Sequence, residues 1–155
     1  MTPETAFQIV NGIAPVAWIA MIAAPRSNVV RRVILSGAFV AILASVYALI
    51  IATHFNFDGT DFMSLEGVMA LLNDPWAMTA GWVHYLAFDL LAGILVTRKG
   101  MDLDMPRLAL LPCQLGCFML GPVGVFLFVV LAKGRGHASV SYTHLTLPTT
   151  GVVGG

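Results

Sequence analysis

The sequence predicts an all-α integral membrane protein, a bundle of four transmembrane helices, and three observations carry that expectation. Of its 155 residues 58% are hydrophobic and only 10% are charged, whereas a soluble domain carries roughly 25% charge. The mean hydropathy is +0.86. Four apolar stretches, about 5–24, 33–53, 76–97 and 108–132, each approach the ~20 residues that a helix needs to cross about 30 Å of hydrocarbon. A lone strand there would leave its backbone groups unpaired, so helices are expected.

Charge and cysteine usage narrow the function classes. Eight Lys/Arg balance eight Asp/Glu, so no basic field draws in nucleic acid. The high apolar content excludes a disordered chain, and two cysteines exclude a disulfide scaffold.

The first stretch is expected to be a retained helix rather than a secretory signal. Its flank holds Glu4 and no Lys or Arg, and Asn11 and Pro15 interrupt the apolar run. The second stretch carries no formal charge. Its rows Gly37-Ala41-Ser45 and Ala44-Ala48-Ala52 allow close helix approach, within the chain or in a homo-oligomer. Between the second and third stretches, Phe62, Leu65, Val68, Met69 and Leu72 recur at helical spacing, with Ser64 or Asp61 as a cap. That segment is either a short amphipathic helix on the outer interface or the first turns of a longer third helix broken at Asp74-Pro75. In the fourth stretch Pro112 and Pro122 predict kinks, and Gly116, Gly121 and Gly124 punctuate the helix. Cys113 and Cys117 are expected to pack as small apolar residues, since no His or CxxC partner completes a metal site. His54 and His84 fall at different depths, which makes a bis-His haem site a poor fit.

The loops predict orientation. Arg26, Arg31, Arg32, Arg98, Lys99 and Arg107 fall in loops one and three, whereas loop two holds Asp58, Asp61, Glu66 and Asp74. The positive-inside rule places loops one and three in the cytoplasm and both termini on the outer side, in a membrane expected to be a bacterial inner membrane. Residues 139–155 are set apart from the 1–138 domain. SYTHLTLPT looks like a translated sequencing adaptor, and the alternative is a floppy native tail.

Asp89 is the one charged residue inside a span, and such a group needs a partner or a purpose. At ~1.5 Å per residue it lies about 20 Å below the Trp76 end, with His84 about 12 Å below it. Asn11, Ser45 and Tyr47 come out level with His84 and Tyr85. Tyr85 and Asp89 share a helix face, whereas His84 and Asp89 lie about 140° apart. Helix glue and a functional group are both open for Asp89, and for His84 the packing role leads.

Gly81 to Gly93 reads GWVHYLAFDLLAG, followed by Leu111-Pro112-Cys113 and by Phe118 to Gly124, FMLGPVG. These strings resemble the abscisic-acid-deficient-four-like family of small four-helix membrane proteins, strongly over residues 62–128 and in pattern over the first two helices. Gln114, Gly116 and Cys117 depart from the more regular apolar or Thr pattern of the family's fourth helix. The plant member is implicated in making neoxanthin from violaxanthin, so the resemblance implies an isomerase that opens an epoxide to an allene without a cofactor. It implies Asp89 as acid, His84 as base and Tyr85 as hydrogen-bond donor, with the first two roles exchangeable. Trp82, Tyr47, Asn11, Phe88 and Pro122 would then contact the carotenoid or isoprenoid ligand. The first residues are not Arg- and Ser-rich, so no plastid leader is expected. Pigment or lipid binding without catalysis is the second expectation. Transport is the third, because spans one, two and four offer no charged path.

Overall fold

The computed structural model describes residues 1–55 and 61–142, and among them all regular structure is helical. Asp58 and the residues from 143 onward lie outside that range. The elements are α1 (Pro3–Ala23), α2 (Asn28–Val33), α3 (Ala38–His54), α4 (Leu65–Leu72), α5 (Pro75–Asp102), α6 (Arg107–Leu120) and α7 (Pro122–Tyr142). Three helical segments, Pro3–Ala23, Asn28–His54 and Pro75–Asp102, are long and apolar enough to cross a membrane. The second of them is broken into α2 and α3 at Gly37, which adopts φ +89 at the start of α3.

Local chemistry sets the helix ends. Thr2 caps α1 through its hydroxyl, and Pro3 occupies the first turn, where a missing N–H costs nothing. The alternatives for the segment before α5 resolve, over residues 61–73, to a separate helix. Ser64 Oγ accepts from Gly67 N at 3.1 Å and so caps α4. Asp61 in turn accepts from the Ser64 hydroxyl and Met63 N, which hold its carboxyl below the usual carboxylate range. Asp74 then starts α5 afresh, its Oδ1 accepting from Trp76 N at 2.9 Å and Ala77 N at 2.8 Å.

At 28 residues α5 is the longest helix and the centre of the molecule, packed against α1, α3, α4, α6 and α7. Side chains from α1, α3, α5 and α6 build the core, with Trp18, Met21, Leu43, Leu90 and Cys117 fully buried. On the outside of α3, Ala41, Ala44, Ser45, Ala48 and Ala52 stay exposed, so the small-residue rows are not spent inside the protomer.

The fourth apolar stretch corrects the sequence expectation. It is two helices that double back on each other, in place of one kinked helix over 108–132. A continuous helix would set Gly116 and Gly124 about 12 Å apart along its axis. Instead the Cα of Gly124 lies 2.8 Å from where a Gly116 side chain would begin, and Gly124 itself abuts the backbone of Cys113 and Cys117. The levels along α5 give the direction. Gln114 Nε2 donates to Thr97 Oγ1 at 2.8 Å, and Gly121 meets Asp89, so α6 runs antiparallel to α5. Gly124 has already returned toward the Thr97 level, and α7 therefore heads back to the end where α6 begins. Gly121 makes the reversal at φ +45, a backbone region that L side chains rarely adopt. Pro122 follows as the first residue of α7, where it needs no N–H partner.

The reversal changes the expected placement of the chain's C-terminal part. Lys133 lies at the same end as Arg98 and Arg107, not at the end of Glu4 and loop two. The helix also continues past Ser139 to Tyr142, into the segment set apart as tail.

Two buried links tie the hairpin and α1 into this arrangement. Thr97 and Gln114 are fully or nearly fully buried and satisfy each other, which rationalises a polar residue in an apolar helix. We expect Gln114→Leu to cost about 1–3 kcal/mol, because it strands the Thr97 hydroxyl. The double variant with Thr97→Val should recover part of that loss in detergent unfolding. Arg107 Nη2 donates to the carbonyls of Ile22 and Ala23, closing the C-terminal end of α1 with a cation.

Candidate functional site

The hairpin tip sits at the middle of α5. Asp89 is about 20 Å from the Trp76 end, so α6 and α7 turn back partway along a helix that is itself long and apolar enough to cross a membrane. They leave the outer turns of α5 uncovered on that side. Trp82 is 36% and Tyr85 37% exposed there, above a floor made by Met119, Leu120 and Gly121. This half-exposed aromatic face of α5, joined to α1 through Trp82 and Asn11 and with the hairpin tip next to it through Tyr85 and Met119, is the candidate cleft.

One wall of the cleft is aromatic and hydrogen-bonded. Asn11 Oδ1 accepts from Trp82 Nε1 at 3.0 Å, and Asn11 Nδ2 donates to Phe7 O at 3.1 Å. The Trp82 ring lies 5.7 Å from Phe7 and stacks on Tyr85 at 5.6 Å and 27°. These bonds hold the indole plane fixed, as a binding wall requires. Tyr85 donates its hydroxyl to the Met119 carbonyl at 3.2 Å, which occupies one of the free carbonyls at the end of α6.

Asp89 lies directly beneath. It is 6% exposed, its Oδ1 is against Gly121, and its Oδ2 is buried without a hydrogen-bond partner. The N-terminal end of α7 begins beside it at Pro122, which favours negative charge there. The Tyr85 side chain reaches the Asp89 carboxyl, as helix glue would require, while an oxygen left unpaired at such a depth costs roughly 1–3 kcal/mol.

The structure divides the residues singled out from the sequence into two groups. Asn11, Trp82, Tyr85, Asp89 and Pro122 come together around the cleft. Tyr47, His84 and Phe88 form a second cluster facing α3, with the His84 ring 5.5 Å from Tyr47 and 4.6 Å from Phe88. The single polar layer expected from depth is thus split across two faces of α5, and His84 does not approach Asp89. Ser45 joins neither group, because its hydroxyl donates to Ala41 O on its own helix at 2.8 Å.

Sequence reasoning missed Phe7, the Met119 carbonyl and the role of Gly121 as the seat of the carboxyl. The adjacent Gly-Pro pair was the available signal for the last. Cys113 and Cys117 are buried free thiols on either side of the Gly124 contact, which fits the packing role expected for them.

No curated protein and no solved structure matches the chain. A family model, ABA DEFICIENT 4-like, matches residues 5–128. That span takes in α1 from Thr5 onward, the aromatic wall, Asp89 and the α6–α7 turn, so the cleft lies within the matched region. By this match the chain belongs to the ABA DEFICIENT 4-like family.

Proposed function

We propose that this membrane protein binds an oxygen-bearing isoprenoid lipid of carotenoid type in the lateral cleft, with the ligand's polar end at Asp89 and its apolar body along Phe7 and Trp82. The observation that carries this reading is Asp89 Oδ2, buried, without a protein partner, and placed at the base of an aromatic wall. A ligand hydroxyl or ether oxygen would complete its hydrogen bonding, and the flat rings suit a conjugated or cyclic body. The protein is inserted with loops one and three in the cytoplasm, which leaves the cleft open to the outer leaflet.

Expression of the full chain in a carotenoid-producing bacterial host tests the proposal. Pigment should co-purify with the native protein. Trp82→Ala and Asp89→Leu should each retain about a tenth of it, the effect of losing ~1.4 kcal/mol of contact. His84→Ala should retain pigment at the native level, because its ring faces α3. Native protein free of pigment across several carotenoid backgrounds would sink the binding reading.

The same carboxyl supports a second, catalytic reading. Asp89 would give its proton to an epoxide oxygen, the C–O bond would break, and the carboxylate would take a proton from a neighbouring carbon as the allene forms. The atoms balance as an isomerisation, and Asp89 ends as it began. His84 takes no part in this version because it lies on another face of α5. Asp89→Asn should then keep its pigment yet fail to convert it. An unchanged pigment profile with the native protein would remove the isomerase reading and leave binding.

A further inference from the structure

The other end of the molecule holds a feature that the cleft does not use. A hollow of about 310 Å³ opens between the turn after α1, the last turn of α5 and the start of α6. Its lining combines the polar Arg26, Ser27 and Arg107 with the apolar Met101, Met105 and Leu110. A second hollow of about 370 Å³ adjoins it, sharing Arg107 and Leu110 and continuing along α6 past Leu108 and Leu111 to Gln114. The two form one path, basic at one end and apolar along its length.

The charges are arranged for an anion. Arg26 is exposed and makes no ion pair or hydrogen bond among the described residues. Arg107 bonds through Nη2 to the end of α1, which fixes its guanidinium, while its Nε and Nη1 donors bond to nothing among the described residues. A guanidinium with fixed plane and free donors suits a phosphate. Of the two acidic side chains at this end, Asp102 lines a separate hollow with Arg31 and Arg98, and Asp104 lies in the turn before α6. Leu108 is 87% exposed and gives an acyl chain a place to lie beside the headgroup.

We propose that this path is a binding site for one anionic phospholipid, with its phosphate between Arg26 and Arg107 and one acyl chain along Leu108 and Leu111. It is independent of the ligand in the cleft.

The test follows thermal unfolding of the purified full chain in a neutral detergent with four probes: phosphatidylglycerol, phosphatidylcholine, farnesyl diphosphate and inorganic phosphate. Saturating phosphatidylglycerol should raise the midpoint by roughly 5 °C, and phosphatidylcholine and phosphate should not. Arg26→Gln should weaken the response at least tenfold in lipid concentration. Arg32→Gln removes the same charge from an exposed position outside the path and should keep the native response. Equal loss in both variants would show a diffuse basic surface and overturn the site. A shift with phosphate alone would show that no chain is bound. A shift with farnesyl diphosphate and none with phosphatidylglycerol would assign the path to a prenyl diphosphate and overturn the phospholipid.

Discussion

Gly124→Ala should unfold the hairpin at a cost of at least about 3 kcal/mol, the upper end of what overpacking costs. The added methyl would land among the backbone atoms of Cys113 and Cys117, which cannot move aside as a flexible side chain can. Gly116→Ala should act in the same direction, since its Cβ would sit 2.8 Å from the Gly124 Cα. Gly12 supplies the contrast. It lies inside α1 with nothing within 4 Å of its Cβ position, so Gly12→Ala should be neutral or gain up to about 1 kcal/mol. Unfolding by a denaturing detergent, followed through tryptophan fluorescence, reads all three. A Gly124→Ala protein as stable as the native one would refute the hairpin contact. The same variant should also lose the cleft ligand, because the tip that supports Asp89 is displaced with it.

Cysteine labelling in intact cells should report all of Arg98→Cys, Lys133→Cys and Arg26→Cys as sealed from a membrane-impermeant maleimide, and Met63→Cys as fully reactive. Met63 is 96% exposed in the acidic loop and gives the outside reference. The two native cysteines are buried and contribute no background. The expected pattern is all-or-none, and Lys133 decides it. A single fourth span would carry Lys133 to the side of Met63, whereas the hairpin returns it to the side of Arg98. Among the described residues the hairpin leaves Arg26, Arg31, Arg32, Arg98, Lys99, Arg107 and Lys133 at one end of the molecule, while Glu4, Asp61, Glu66 and Asp74 stand at the other. Moving any of those cations across the bilayer is costly, so the asymmetry that sets orientation is stronger than four spans would give.

Much of the fold was legible because it rests on local rules. Thr2-Pro3, Ser64 and Asp74-Pro75 are helix starts whose partners lie within three residues. The apolar lengths of residues 5–24 and 76–97 measure the bilayer directly. The fourth stretch failed for a physical reason. Hydropathy measures how apolar a segment is, and two half-crossings of a membrane are as apolar as one crossing. Gly121-Pro122 breaks a helix in either case, and only the Gly116–Gly124 contact distinguishes a bend from a reversal.

The site divides along the same line. That Asp89 lies deep in a long apolar helix with Tyr85 above it on one face could be read from spacing alone, because depth and azimuth within one helix follow from about 1.5 Å and about 100° per residue. The sequence also determined the family, through a string that runs from Trp82 to Asp89. Depth alone cannot tell which neighbouring helix a side chain faces. Asn11, Tyr47 and His84 share a level, yet tertiary packing sent Asn11 to Trp82 and Tyr47 to His84 on different faces of α5. Only the tertiary structure placed the hairpin tip against Asp89, because that contact joins residues on separate helices whose rotation is set by how their side chains pack, not by any spacing along the chain.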